Sequence, residues 1–189
     1  MSTVGILLAA GSARRFGTPK LLHPMADGVP VGIAAARVMK QALSRVIVVV
    51  RPSDHQLRRA FSEIGLKVVQ NSHAASGIGT SVAAGVSAAA NASGCIIALA
   101  DMPWVKAATV TLLDQRLHHG ASMVAPAYRG RRGNPVGFAA NWFPELTELS
   151  GDFGARDLLS RHVDQLQLVH TADMGILADV DHPTDLRGR

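Results

Sequence analysis

The sequence is poor in cysteine, in aromatic residues and in long apolar runs, and each shortage excludes a class of protein. A single cysteine, Cys95, leaves no partner for a disulfide within the chain and no cysteine-based metal site. Because Cys95 lies in the apolar segment 95–99, we expect a small buried hydrophobic residue rather than a nucleophile. Aromatic residues make up only 4% of the chain, so the core has to be aliphatic.

Apolar runs and basic runs are both short. No apolar run reaches the roughly 18 residues that a membrane-spanning helix requires, and the N-terminus lacks the cationic and apolar regions of a signal peptide. We therefore expect a cytoplasmic protein with no membrane partner. The formal net charge is +5, but the basic residues are scattered and form no basic arm. This excess suits a polyanionic small molecule such as a nucleotide better than a nucleic acid.

The order of apolar segments predicts one α/β domain that covers residues 1–189. Short β-branched runs alternate with segments of helical spacing, which is typical of a parallel sheet with helices on both faces. The predicted strands are residues 4–10, 45–51, 66–70, 95–100, 121–126, 136–138 and 166–169. The predicted helices are residues 31–43, 55–61, 77–92, 107–118, 142–149 and 155–162.

The segment after the first predicted strand is rich in glycine and basic residues. From Leu8 to Lys20 it reads Leu-Ala-Ala-Gly-Ser-Ala-Arg-Arg-Phe-Gly-Thr-Pro-Lys. In a parallel sheet this loop lies at the carboxyl ends of the strands, where its backbone N–H groups point at bound phosphate. Gly11 and Gly17 allow close approach of the backbone, and Arg15 and Lys20 supply fixed positive charge. The spacing fits neither the dinucleotide fingerprint nor the Walker loop, and an ordinary basic turn is the alternative.

Aspartates occur at two further places where the chain leaves an apolar segment. Asp101 follows the fourth predicted strand and so lies at the same edge of the sheet as the glycine-rich loop. One or two carboxylates suit Mg²⁺, and a helix N-cap before Pro103 is the alternative. Asp179 and Asp181 are two residues apart, so both point the same way in an extended segment. A pair of turn-forming acids is the alternative there.

These motifs resemble, in the same order, those of the molybdenum-cofactor nucleotidyltransferases, a family of the glycosyltransferase-A-like nucleotidyltransferases. In the loop the matching residues are Leu8, Ala10, Gly11, Arg15, Gly17 and Lys20, while Ala13 and Phe16 depart from the family pattern. Segment 179–186 is similar to the family's Asp-Ile-Asp-Thr-Pro-x-Asp-Leu, which favours Asp181 over Asp179 as the active-site residue.

The resemblance implies a Rossmann-like three-layer sandwich with a mostly parallel mixed sheet. It also implies Mg²⁺-dependent transfer of CMP from CTP, or of another nucleotide from its triphosphate, to a phosphorylated acceptor, molybdopterin, with release of pyrophosphate. The Leu-Ala-Ala-Gly start of the loop favours cytosine over guanine. The implied nucleotide-binding residues are Leu8, Ala9, Ala10, Gly11, Arg15, Gly17, Lys20, Asn71, Gly79, Ser81 and Asp101, of which Arg15, Lys20 and Asp101 are catalytic. The implied acceptor-binding residues are Asn134, Pro135, Asp152 and Arg156, and the implied metal ligands are Asp101 and Asp181.

Other functions and other roles for single residues stay open. The acceptor is alternatively another phosphorylated metabolite, such as a sugar phosphate or a phospholactate-like acid. A non-catalytic chaperone that binds the cofactor and docks on a molybdoenzyme is the alternative from a different class. The residues around Gly79 also suit a plain capping turn, and Asp152 also suits a cap for the helix that carries a solvated Arg156.

Overall fold

Strands and helices alternate along the chain as the apolar pattern predicts. The structure, a computed structural model, describes residues 2–11, 16 and 19–186. The strands in these ranges are β1 (Thr3–Leu8), β2 (Val46–Val50), β3 (Lys67–Gln70), β4 (Gly94–Leu99), β5 (Met123–Tyr128), β6 (Arg131–Arg132), β7 (Val136–Ala139) and β8 (Leu166–His170). The α-helices are α1 (Val31–Ala42), α2 (His55–Glu63), α3 (Ile78–Ala88), α4 (Ala107–His118), α5 (Phe143–Thr147) and α6 (Ala155–Arg161). Short 3₁₀ turns are Lys20–Leu22, Ala74–Ser76, Ala140–Trp142, Val163–Gln165, Met174–Leu177 and Pro183–Leu186.

The strands form one mixed sheet. Strands β3, β2, β1 and β4 lie side by side and run parallel. The next strand, β7, is antiparallel to both β4 and β5. Because β8 pairs with β5 along residues 123–127, β6 and β7 share the other edge of β5. The predicted α/β class and the mostly parallel mixed sheet are thus confirmed.

Strand β6 was not predicted, because its segment reads as a basic turn. Tyr128 pairs with Arg131 across the two residues Arg129 and Gly130, whose φ angles are 47° and 77°. Two positive φ angles in a two-residue connection are what a tight hairpin requires. The two-residue strand that this turn creates is too short to show a pattern in the sequence.

Helices cover both faces of the sheet. Alternate residues of β1 point to opposite sides, so that Leu7 joins one apolar cluster while Ile6 joins another. The first cluster takes in apolar residues of α1, α2 and α4, and the second takes in those of α3, α5 and α6. The result is three layers, with the strands in the middle. None of the helices in the described ranges has the length and apolar character needed to cross a membrane.

Cys95 lies inside the second cluster. Its side chain is fully buried between the sheet and the helices, and burial raises the pKa of its thiol. A thiol in that setting stays protonated and is not a nucleophile. The expectation of a small buried hydrophobic residue is confirmed.

Candidate active site

A cleft of about 640 Å³ opens at the carboxyl ends of β1, β2 and β4. The end of β1 and the start of the glycine-rich loop form its floor, and the first turn of α3 forms one wall. The predicted site residues that line this cleft are Leu8, Ala9, Ala10, Gly11, Lys20, Ser81, Asp101, Asp152 and Asp181. Arg15 and Gly17, which were also predicted, lie outside the residues that the structure describes.

A lysine between two aspartates is the main charged feature of the cleft. The Lys20 ammonium donates a hydrogen bond of 2.8 Å to Oδ2 of Asp101 and lies 3.5 Å from Oδ1 of Asp181. The Lys20 side chain is only 12% exposed, whereas the Asp181 side chain is 47% exposed. Two carboxylates from distant parts of the chain therefore converge on one cation.

Backbone contacts bring these two aspartates together. The N–H of Val180 donates to the carbonyl oxygen of Asp101 (2.9 Å), which places residue 181 beside the end of β4. The carboxylate of Asp185 then accepts hydrogen bonds from the N–H groups of Asp181 (2.8 Å) and His182 (2.7 Å). Asp185 thus fixes the backbone that carries Asp181. Sequence analysis gave Asp185 no role, although its position four residues after Asp181 is a signal for such a turn.

The structure excludes the helix-cap alternative for Asp101 and places Asp181, not Asp179, on the cleft. Helix α4 begins at Ala107, and its N-cap is Lys106, so Asp101 does not cap a helix. Asp179 is exposed and does not line the cleft, whereas Asp181 does. In the described ranges no group of three or more His, Cys, Asp and Glu side chains is placed to hold a metal ion. The candidate metal ligands in this cleft are therefore the pair Asp101 and Asp181.

Asn71 lies behind the cleft wall and not on it. Its side chain is buried, and its amide nitrogen donates to the hydroxyl groups of Thr80 (2.9 Å) and Ser81 (3.1 Å). Its amide oxygen accepts from the backbone N–H of His73 (2.9 Å). Asn71 therefore joins the end of β3 to the first turn of α3 and orients Ser81, which does line the cleft.

Gly79 also lies behind the wall, where it packs against the segment 150–153. Its N–H donates to the carbonyl oxygen of Gly151 (3.0 Å), and a Cβ at this position would lie 2.4 Å from the carbonyl oxygen of Phe153. Gly77 makes a similar close approach with φ at 114°, because a Cβ there would lie 2.1 Å from the Gly151 carbonyl group. These contacts hold the segment against α3 and place Asp152 in the cleft.

Asp152 does not cap α6, so that alternative is wrong. The N-cap residue is Gly154, and its N–H donates to the carboxylate of Asp157 (2.8 Å). The side chain that binds the backbone at the start of α6 therefore belongs to the helix itself. Asp152 therefore remains available to the cleft that it lines.

The other predicted acceptor-binding residues lie apart from the cleft. Asn134 and Pro135 border a separate small cavity between α1 and β4. Leu99 lines both this cavity and the cleft. Arg156 is exposed on the first turn of α6. Burial, and then the nearby positive charge of Arg156, lower the pKa of Arg132, whose guanidinium donates to the Ser160 hydroxyl (3.4 Å). Two arginines thus lie close together on the α6 side.

Two of the cleft residues that sequence analysis did not assign to the site, Arg51 and Phe16, make contacts that hold the glycine-rich loop. Arg51 follows β2, and its Nε–H donates to the carbonyl oxygen of Ala10 (2.7 Å). Phe16 is buried against Val31 and Val180, which ties the glycine-rich loop to the segment that carries Asp181. The position of Arg51 directly after a strand that neighbours β1 is a sequence signal for a place in the cleft. The place of Phe16 follows only from the packing of distant segments.

A glycine-rich loop, a largely buried lysine and paired carboxylates at the carboxyl edge of a parallel sheet are typical of a nucleotide-binding α/β enzyme. The model of the MobA-like NTP transferase domain matches residues 5–166. The chain therefore belongs to the MobA-like NTP transferase family, and nucleotidyltransferase is its class of enzyme. The resemblance inferred from the motifs is confirmed at this level.

Relatives and solved structures are similar to the chain over nearly its whole length. The purine catabolism protein PucB of Bacillus subtilis is 31% identical, over 96% of this chain and 93% of its own length. Nicotine blue oxidoreductase of Paenarthrobacter nicotinovorans is 30% identical, over 94% and 91%. The crystal structure of Rv0371c from Mycobacterium tuberculosis has a TM-score of 0.80 at 27% identity, over 99% of this chain and 97% of that one. Rv0371c is also known in complex with manganese, with a TM-score of 0.80 at 26% identity and the same coverage.

Proposed function

We propose that the protein transfers CMP from CTP to the phosphate of molybdenum cofactor and releases pyrophosphate, with Mg²⁺ as the metal. The observation that carries the proposal is the convergence of Asp101 and Asp181 on the ammonium of Lys20, beside the glycine-rich loop. One relative is named for an oxidation. The reaction is therefore proposed from the chemistry of the cleft and the family, not from the names of relatives.

The donor set of the cleft fits a magnesium ion. Both candidate ligands are carboxylates, and Mg²⁺ is typically held by one or two carboxylates together with water and substrate phosphates. The carboxylates already converge on one cation, the Lys20 ammonium, which shows that their oxygens face a common point. The manganese complex of Rv0371c supports a divalent metal in this family. A bound metal ion would neutralise negative charge on the phosphates during transfer.

The remaining chemistry falls to the chain's own groups. A phosphate oxygen of the acceptor attacks the α-phosphorus of CTP, the bond from that phosphorus to the bridging oxygen breaks, and pyrophosphate leaves with the bonding electrons. Lys20 offers its charge to the triphosphate, and Ala10 and Gly11 line the cleft floor. The protein's part is positioning and charge stabilisation, without a covalent enzyme intermediate.

Acceptor binding is proposed for the α6 side of the cleft. Asp152 lines the cleft itself, and Arg156 lies outside the cleft in the first turn of α6, close to Arg132. Two neighbouring guanidinium groups suit a phosphorylated acceptor, because each can bind phosphate through two parallel hydrogen bonds.

Pyrophosphate release tests this proposal. The protein is incubated with Mg²⁺ and each of CTP, GTP, ATP and UTP, with and without molybdenum cofactor, and pyrophosphate is measured. We expect release with CTP only when the cofactor is present. Release with a sugar phosphate or a phospholactate-like acid instead would move the proposal to another acceptor. Nucleotide binding without turnover would indicate a cofactor chaperone.

The variant Asp101→Asn tests whether transfer needs the negative charge of Asp101, in a protein that still folds. The variant keeps the size of the side chain but loses the charge that pairs with Lys20, so we expect transfer to be abolished in a folded protein. Asp179→Asn is the matched control, because Asp179 is exposed and lies outside the cleft, and it should retain turnover. Near-normal turnover of Asp101→Asn would remove this residue from the mechanism.

A further inference from the structure

We infer that Arg51 reads the nucleobase and selects a base with two adjacent hydrogen-bond acceptors, cytosine or guanine, over uracil and adenine. The inference rests on the proposed function in one respect only, that the cleft holds a nucleoside triphosphate. It gives Arg51, which lies outside the motifs matched in the sequence, a role in nucleotide specificity.

The order of strands sets the order of groups along the cleft. Asp101 follows β4, the glycine-rich loop follows β1, and Arg51 follows β2, while the strands lie in the order β2, β1, β4. Neighbouring strands are about 4.8 Å apart, so the ends of β2 and β4 are separated by roughly 10 Å. A triphosphate held at Lys20 and Asp101 therefore places its base, and not its phosphates, near Arg51.

The guanidinium of Arg51 is fixed in orientation by the backbone. Its Nε–H donates to the carbonyl oxygen of Ala10 at 2.7 Å, and the side chain is partly buried. A guanidinium has five N–H donors in one plane and no acceptor. With Nε engaged by Ala10, the pair of terminal nitrogens forms a second fork in a direction that the first contact determines.

The wall beside Arg51 suits the face of a base. Ala74, Ala75 and Ile78 line the cleft where the chain passes from β3 to α3, and their side chains are small or apolar. Such side chains cover a planar ring but cannot hydrogen-bond to its edge. Recognition of the edge on this side therefore falls to the Arg51 fork, to the Ser81 hydroxyl and to backbone groups.

The hydrogen-bond chemistry of the bases then predicts which ones Arg51 accepts. Cytosine offers O2 and N3, and guanine offers O6 and N7, as adjacent acceptors for a donor fork. Uracil presents N3–H between its carbonyl groups, and adenine presents an amino group beside N7, so a donor faces a donor in each case. The comparison of CTP with UTP is the sharpest, because the two bases have the same size.

Equilibrium binding without any acceptor tests the inference. Affinities for CTP, UTP, GTP, ATP and inorganic tripolyphosphate are measured by calorimetry with Mg²⁺, for the unaltered protein, Arg51→Met and Arg51→Lys. We expect the unaltered protein to prefer CTP over UTP, or GTP over ATP. Both variants should lose roughly 10- to 100-fold in affinity for the preferred nucleotide, with tripolyphosphate affinity unchanged. Arg59→Met is the matched control, because Arg59 is 82% exposed on α2 and paired with Glu63.

Each other result overturns the inference. Equal loss of affinity for tripolyphosphate would assign Arg51 to the phosphates or to support of the loop. Equal affinity of the unaltered protein for all four nucleotides, or an Arg51→Met variant that keeps the original preference, would show that Arg51 does not read the base. Failure of the unaltered protein to bind any nucleoside triphosphate would instead refute the proposed function.

Discussion

Replacement of Gly79 by alanine sets two opposing effects against each other. Gly79 lies in the first turn of α3, where alanine is the better helix former by about 1 kcal/mol. Against this, the new Cβ would lie 2.4 Å from the carbonyl oxygen of Phe153 and 2.8 Å from the backbone nitrogen of Ser150. Both contacts are with backbone atoms, which cannot rotate away as a flexible side chain does.

The clash is expected to outweigh the gain in helix propensity. Overpacking of this kind costs typically about 1–3 kcal/mol, and displacement of the segment also weakens the hydrogen bond from Gly79 N–H to the Gly151 carbonyl oxygen. We expect a net loss of about 1–2 kcal/mol in the free energy of unfolding. For a chain of this size that corresponds to a fall in Tm of roughly 2–8 °C.

Thermal and urea unfolding measure the effect, and Gly11→Ala is the control. A Cβ at Gly11 meets no atom of the described residues within 4 Å, so this variant should unfold at nearly the same temperature. Gly11 lines the cleft, however, and its added methyl group should weaken nucleotide binding. A Gly79→Ala protein as stable as the unaltered one, or more stable, would refute the close packing of α3 against residues 150–153.

Two further variants test side-chain carboxylates that hold the backbone in place. Asp173 is buried and accepts hydrogen bonds from Lys106 N–H (2.8 Å), the Thr109 hydroxyl (2.7 Å) and Gly175 N–H (2.9 Å). The variant Asp173→Asn replaces one acceptor atom by a donor. It should lower the free energy of unfolding, measured with urea, by about 2–3 kcal/mol. An unchanged urea midpoint would contradict that network. Asp185→Ala removes the acceptor that fixes the backbone at Asp181, and should weaken Mg²⁺ binding about 10-fold or more. Its Tm should change little, because Asp185 lies in a partly exposed turn near the end of the chain; intact Mg²⁺ affinity would rule out this positioning role.

The elements were predictable because most of them carry a local pattern. Strand β2 is β-branched throughout, α1 has helical spacing, and each begins and ends within two residues of its prediction. The prediction of α3 ran four residues too far, since the alanine-rich stretch continues after the helix ends at Ala88. Strand β6 was missed because two residues are too few to show a period.

The roles of site residues were less predictable because they depend on contacts between distant segments. Asn71 and Gly79 occur in a stretch that resembles a nucleotide-binding motif, yet in the structure they join α3 to its neighbours from behind the cleft. Arg51 belongs to no motif, and Asp185 belongs to the matched segment 179–186 but was given no role there. The role of Arg51 follows only from its hydrogen bond to the Ala10 carbonyl oxygen. The role of Asp185 follows only from the hydrogen bonds that it accepts from the N–H groups of Asp181 and His182.

The sequence by itself determined the α/β alternation, the glycine-rich loop after the first strand and the presence of aspartates at strand ends, since all of these follow from local composition and spacing. The tertiary structure decided that Asp101 and Asp181 share the Lys20 ammonium, that Asp179 lies outside the cleft, and that Asn134 and Pro135 border a different cavity. The physical reason is the order of strands in the sheet. Which carboxyl ends lie side by side depends on how distant strands pair, and no local pattern of residues records that pairing.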